Sequence, residues 1–130
     1  MKLRISALAI ALLIATVAGA AELPSATDAE INQVLASGKP SVIDLGARSC
    51  IPCKKMAPIL ASLATEYNGQ ANVLFIDVWQ NKSASGQFRV QMIPTQIFFD
   101  SRGKEVKRHI GFMDKEALVK ELTALGAKPK

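Results

Sequence analysis

Apolar residues along this chain change period several times, and each change marks an element. Ile31, Val34 and Leu35 recur at helical spacing behind Thr27-Asp28-Ala29-Glu30, a hydroxyl followed three residues later by a carboxylate. That pairing starts a helix, which Gly38 and Pro40 then stop. Ser41 to Gly46 is short, apolar and β-prone, the signature of a buried strand. Beyond Cys53, Met56, Ile59, Leu60, Leu63 and Tyr67 return to three- and four-residue steps as far as Gly69, an amphipathic helix that Pro58 should kink. Asn72 to Val78 reads as a second buried strand, and the polar run Gln80 to Gln87 as a short helix ending near Phe88. Thr95 to Phe99 is a third strand. The turn Asp100-Ser101-Arg102-Gly103 joins it to a fourth, Glu105 to Ile110, as an antiparallel hairpin. Asp114 caps a last helix through Leu118, Val119, Leu122 and Leu125, closed by Gly126, and residues 128–130 are expected to fray. The order α-β-α-β-α-β-β-α places the chain in the α/β class. Strands joined through helices should pair in parallel, the hairpin should add an antiparallel edge, and helices should cover both faces of a mixed central sheet.

The first residues do not fit that pattern. Lys2 and Arg4 precede an uncharged, largely apolar run from Ile5 to Val17, and Ala18, Gly19, Ala20 and Ala21 lead into Glu22. Positive head, apolar middle and small residues are the order of a secretory signal peptide, here residues 1–21, leaving residues 22–130 as one mature domain. The apolar run is short of the about 20 residues a membrane span needs. No cysteine near the cleavage site offers a point for lipidation. The whole chain has 130 residues, 49% of them hydrophobic and 21% charged, the balance of a soluble globule. Losing Lys2 and Arg4, and no acidic residue, takes the formal charge from +5 to +3. So mild an excess, without a basic run or many aromatics, argues against nucleic-acid binding. The space beyond an inner membrane lets disulfides persist, so the mature protein is expected there, periplasmic or secreted.

Both cysteines lie in Arg48-Ser49-Cys50-Ile51-Pro52-Cys53-Lys54-Lys55. A bridge across so short a loop would stabilise little, because the benefit grows with loop length. A structural zinc site wants four ligands, and the chain offers two cysteines and the distant His109. A copper(I) ion held by two thiolates stays open. Redox exchange suits the placement best. Cys50 stands where a strand ends and a helix begins, where unpaired amides and the positive helix end favour a thiolate. Pro52 costs no hydrogen bond in the first turn. Cys53, one turn on, can attack a mixed disulfide formed by Cys50. His109, on the hairpin's second strand, reads as an ordinary strand residue, and Trp79 as a packing residue.

Asp44 to Lys54, together with Met56-Ala57-Pro58-Ile59-Leu60 and Ile93-Pro94-Thr95, resembles the thioredoxin family over nearly the whole mature chain. The resemblance implies the thioredoxin fold and a thiol–disulfide oxidoreductase that needs no cofactor or metal beyond its own Cys50–Cys53 disulfide. Cys50 takes the role of nucleophile and Cys53 that of resolving thiol. Asp44 matches the family's buried carboxylate, with a raised pKa and proton transfer with Cys53. Strand alternation, which puts Asp44 on one face with Val42 and Gly46, does not itself settle burial. Pro94 matches a proline whose preceding peptide bond is cis, and the Ile93 backbone would pair with substrate as an added strand. Met92, Ile51 and Gly111 are counted with them as substrate-binding positions. Met92 and Phe112 would form either an apolar docking patch or ordinary loop packing. Four positions depart from the family: Ser49 and Gly46 stand where tryptophans are usual, Ile51 where a glycine is, and Phe75 where a lysine often lies near the buried acid.

Ile93, Pro52 and Asp44 resemble reducing members more than oxidising ones. The expected activity is reduction of protein disulfides by a monomer fed with electrons by a membrane thiol reductase, with cytochrome c maturation as one client pathway. The competing readings are a thiol oxidase of secreted proteins and a copper(I) carrier.

Overall fold

The computed structural model describes residues 21–130. All of the leader expected over residues 1–21 except Ala21 lies outside the described residues. Eight elements follow in the order α1 (Asp28–Leu35), β1 (Ser41–Gly46), α2 (Ile51–Glu66), β2 (Asn72–Asp77), α3 (Lys82–Gln87), β3 (Thr95–Phe99), β4 (Glu105–Ile110) and α4 (Lys115–Ala124). Thr27 caps α1 with the anticipated reciprocal pair: its Oγ1 accepts from the Glu30 amide at 3.3 Å, and its own amide donates to Glu30 Oε2 at 2.7 Å. Asp114 accepts from the Ala117 amide at 2.8 Å and so starts α4. Pro58 lies inside α2 without ending it.

The four strands form one mixed sheet in the order β2-β1-β3-β4. β1 pairs in parallel with β2 and antiparallel with β3, which pairs antiparallel with β4. The third strand therefore runs opposite to the direction expected of a strand reached through a helix. α3 itself does not run back along the sheet. A parallel crossover must carry the chain back along the sheet, about 20 Å for six strand residues, whereas a six-residue helix spans only about 9 Å. The chain stays at the end where β2 finished and enters β3 from there.

Alternation along the strands divides the core. Val42, Val73, Phe75 and Phe98 face α2 and α4, where they meet Met56, Leu60, Leu63, Leu118 and Leu122. Ile43, Leu45, Ile76 and Ile97 face the other way, toward Ile31 of α1 and Ala84 of α3. Helices thus cover both faces, as the pattern implied. The segment before α1 runs beside β2: the Ala26 amide donates to the Phe75 carbonyl at 2.8 Å, and the Asp77 amide donates to Ser25 Oγ at 2.9 Å. The C-terminal tail is not frayed as expected. Ala127 is buried, and the Lys130 amide donates to the Glu66 carbonyl at the end of α2, 2.8 Å away. Gly103 has φ +76°, and a Cβ there would collide with the Leu35 carbonyl, so the β3–β4 turn needs glycine on both counts.

Candidate active site

Three chain reversals share one end of the sheet. The register pairs Leu45 with Thr95 and Thr95 with Ile110. The exit of β1 toward the cysteines therefore lies beside Ile93-Pro94 and, one strand further, beside Gly111-Phe112. The Gly111 amide donates to the Pro94 carbonyl at 2.8 Å, and Thr95 Oγ1 donates to the Met92 carbonyl at 2.6 Å. The Ile93-Pro94 peptide bond is cis, as the resemblance implied. β2 ends at this side too, which brings in Trp79.

Asp77 shapes the cysteine loop. Its carboxylate is buried and accepts from three backbone amides: Oδ2 from Arg48 at 3.3 Å, and Oδ1 from Trp79 at 2.8 Å and Gln80 at 3.2 Å. One side chain thus binds the loop before Cys50 to the loop after β2. Cys50 is the N-cap of α2 in an extended conformation, with Ile51 and Pro52 next, and the Lys54 amide closes the first turn on the Cys50 carbonyl at 2.9 Å. Cys50 and Cys53 are joined as a disulfide. Their environments differ. Cys50 is half-buried at the mouth of the helix, while Cys53 is 4% exposed behind it. Once reduced, Cys50 has the helix's unpaired amides before it, which favour the ionised sulfur.

Cys53 packs directly on β1. A Cβ at Gly46 would lie 3.1 Å from Cys53 Sγ and 3.4 Å from the Phe75 ring, so a side chain there would crowd the sulfur. Asp44 is two residues back on the same face, about 7 Å along the strand. It is fully buried, and burial pushes its pKa up to about 6 against the opposing effect of one hydrogen bond from Gln96. That bond runs from Gln96 Nε2 to Asp44 Oδ1 at 2.8 Å, and Oδ2 has no partner. Phe75 is its neighbour on β2, and the Arg48 guanidinium lies 4.3 Å from the centre of that ring. Arg48 also holds the N-terminal segment, donating to Glu22 Oε1 and to the Leu23 carbonyl at 2.6 Å each.

The chain belongs to the thioredoxin family. The family model described as Thioredoxin matches residues 22–124. A thioredoxin of Staphylococcus saprophyticus is 41% identical over 92 residues, 71% of this chain and 86% of that one. A thioredoxin of Staphylococcus aureus is 40% identical over 96 residues, 74% of this chain and 90% of that one. Among solved structures, a mutant thioredoxin from Halobacterium salinarum superposes with a TM-score of 0.71 at 26% identity, over 79% of this chain and 88% of that one. Chloroplastic thioredoxin z shares the fold, with a TM-score of 0.70 at 24% identity over 82% and 96% of the two chains. The thioredoxin fold and thiol–disulfide oxidoreductase activity on protein disulfides follow, and the redox group is the chain's own Cys50–Cys53 pair, with no cofactor called for.

Five large apolar side chains stand exposed among the elements at this end: Ile51 at 70%, Met92 at 63%, Trp79 at 58%, Ile110 at 55% and Phe112 at 45%. Trp79 is therefore more open to solvent than the packing role the sequence suggested, and Met92 and Phe112 are both exposed. Two residues escaped the sequence reading, Asp77 and Gln96, and His109, expected as an ordinary strand residue, partners one of them. Asp77 carried a signal, an aspartate at a strand end ahead of a turn. Gln96 did too, an amide inside an apolar strand that must find partners. His109 meets Gln96, with its Nδ1 2.9 Å from Gln96 Oε1.

Proposed function

We propose that the protein is an exported reductase of protein disulfides, working with Cys50 as nucleophile, Cys53 as resolving thiol and Asp44 as proton acceptor. The reading rests on one observation above the others: Cys50 is reachable at the helix mouth while Cys53 is buried behind it. In the first step the Cys50 thiolate attacks a client disulfide. One client sulfur leaves as a thiolate and the other is held to Cys50. Cys53 then gives its proton to Asp44 and attacks Cys50 Sγ. The Cys50–client bond breaks, the Cys50–Cys53 bond forms, and the second client sulfur leaves and takes up a proton. Two electrons pass to the client and the protein is left oxidised.

Ile51, Met92, Ile93, Pro94 and Gly111 are the client-contacting positions in this reading, with the Ile93 backbone offering strand pairing. Export rests on the leader pattern of residues 1–21. A reductase in an oxidising compartment needs electrons delivered, so a membrane thiol reductase is its donor and apocytochromes c awaiting haem are one class of client. The protein acts as a monomer.

The decisive experiment uses Cys53→Ser purified from the exported fraction. It should trap clients covalently on Cys50, and the wild-type potential should fall below that of the glutathione couple. A potential well above that couple would reverse the direction to thiol oxidation. Tight copper(I) retention without insulin reduction would replace the enzyme with a carrier. An N-terminus unprocessed at residues 20–22 would remove the case for a cleaved leader.

A further inference from the structure

Three polar side chains form a row across neighbouring strands on the face that α2 and α4 cover. Asp44 of β1 is registered opposite Gln96 of β3, and Gln96 opposite His109 of β4. Gln96 is fully buried within the otherwise apolar run Gln96-Ile97-Phe98-Phe99. An amide there is costly unless both of its ends are used. Both are: Nε2 donates to Asp44 Oδ1 at 2.8 Å, and Oε1 faces His109 Nδ1 at 2.9 Å.

The chemistry of the partners fixes the direction of the row. An ionised carboxylate only accepts, so the Gln96 NH2 must face Asp44. Its carbonyl oxygen then faces the histidine ring and needs a donor, so His109 must carry a proton on Nδ1. The charged imidazole and one of its two neutral tautomers meet that need. Without the donor the amide can turn over and set its oxygen against the carboxylate. Around the row stand Phe75 from β2, Cys53 from α2 over Gly46, Arg48 stacked on Phe75, and the Lys107–Glu121 ion pair linking β4 to α4. Among the described residues, Gln96 alone hydrogen-bonds to the Asp44 carboxylate.

We propose that Gln96 and His109 are positioning residues for proton transfer: His109 locks the Gln96 amide, which holds Asp44 Oδ1 and reserves Oδ2 to receive the proton of Cys53. The proposal rests on the assignment of Asp44 as that acceptor. A hydrogen bond to the charged form favours it, so the row keeps Asp44 ionised at lower pH than burial alone would allow.

The test mixes fully reduced protein with 5,5′-dithiobis(2-nitrobenzoate) in a stopped-flow instrument between pH 5 and 9. The second thionitrobenzoate is released when Cys53 attacks the mixed disulfide on Cys50, and its rate against pH shows an acid limb. Gln96→Leu and His109→Phe should move the midpoint of that limb upward by about half a pH unit or more, roughly a twofold slowing at pH 6 that approaches threefold at pH 5. His109→Asn, which keeps an N–H donor near the Nδ1 position, should restore the wild-type limb. Circular dichroism checks that each variant is folded. Asp44→Asn should abolish the limb. If the limb survives in Asp44→Asn, the role of Asp44 falls and the proposal falls with it. If Asp44→Asn abolishes it while Gln96→Leu and His109→Phe titrate like wild type, Asp44 keeps its role and the row is only structural. A limb equally displaced in His109→Asn and His109→Phe would overturn the donor role of the ring.

Discussion

Gly46 and Cys53 are in contact across the β1–α2 junction, the sulfur 3.1 Å from where a side chain at position 46 would begin. Gly46→Ala must displace either the strand or Cys53 by a few tenths of an ångström, because the 3.1 Å approach is tighter than ordinary packing. Overfilling a packed site costs about 1–3 kcal/mol. Urea denaturation of the oxidised protein should show that loss, and an unchanged midpoint would mean that the junction is looser than its geometry.

Asp44 lowers stability at neutral pH. Its carboxyl is raised to about 6 in the fold from an ordinary 3.8, so between those values the folded state holds a proton that the unfolded state has released. Stability must therefore fall as pH rises through that window and level off above about 6. The size of the fall is about 3 kcal/mol at most, from roughly two pH units at 1.4 kcal/mol each. Asp44→Asn keeps an acceptor for Gln96 and cannot ionise. It should be the more stable protein at pH 7.5 and equal to wild type at pH 3.5. Parallel denaturation curves that differ equally at both pH values would contradict the assignment.

Asp77 holds two loops by three backbone amides. Asp77→Ala takes a charged acceptor from the Arg48 and Trp79 amides, while the Gln80 amide keeps the Asp77 carbonyl at 3.2 Å, a cost of about 1–3 kcal/mol. The loop before Cys50 also loses its tether, so disulfide reduction should slow as stability drops. A variant that loses stability but reduces insulin at the wild-type rate would show that the tether does not set the position of Cys50.

Gly103 closes the β3–β4 turn against the end of α1. Gly103→Ala meets both a left-handed backbone and the Leu35 carbonyl. The backbone penalty alone is about 1–2 kcal/mol. The drop in thermal midpoint should therefore exceed that of Gly38→Ala, where φ is +77° but the space is open. Equal drops would mean that the turn yields at no cost.

Much of this molecule could be read from residue order. The strands fell within a residue of their expected limits, because three are apolar runs bounded by glycine, proline or a change of period, and β4 follows β3 through a tight turn. The direction of β3 was not legible, since an apolar pattern carries no arrow. Burial of Asp44 escaped alternation for a related reason: β1 is covered on both faces, so every one of its residues is buried and none stands out. The cysteines were the clearest part of the site. The row behind them was hidden, because Gln96 and His109 meet Asp44 only through sheet register, which links residues 52 and 13 positions apart.

The lone tryptophan of the chain, Trp79, stands 58% in solvent, and its one tyrosine, Tyr67, is wholly enclosed. Indole emission from such a position is already that of a wet fluorophore. Melting the molecule should barely shift its wavelength, whereas a client settling over that end should turn it blue. Light from this residue is therefore a poor thermometer for the fold and a ready-made reporter for docking.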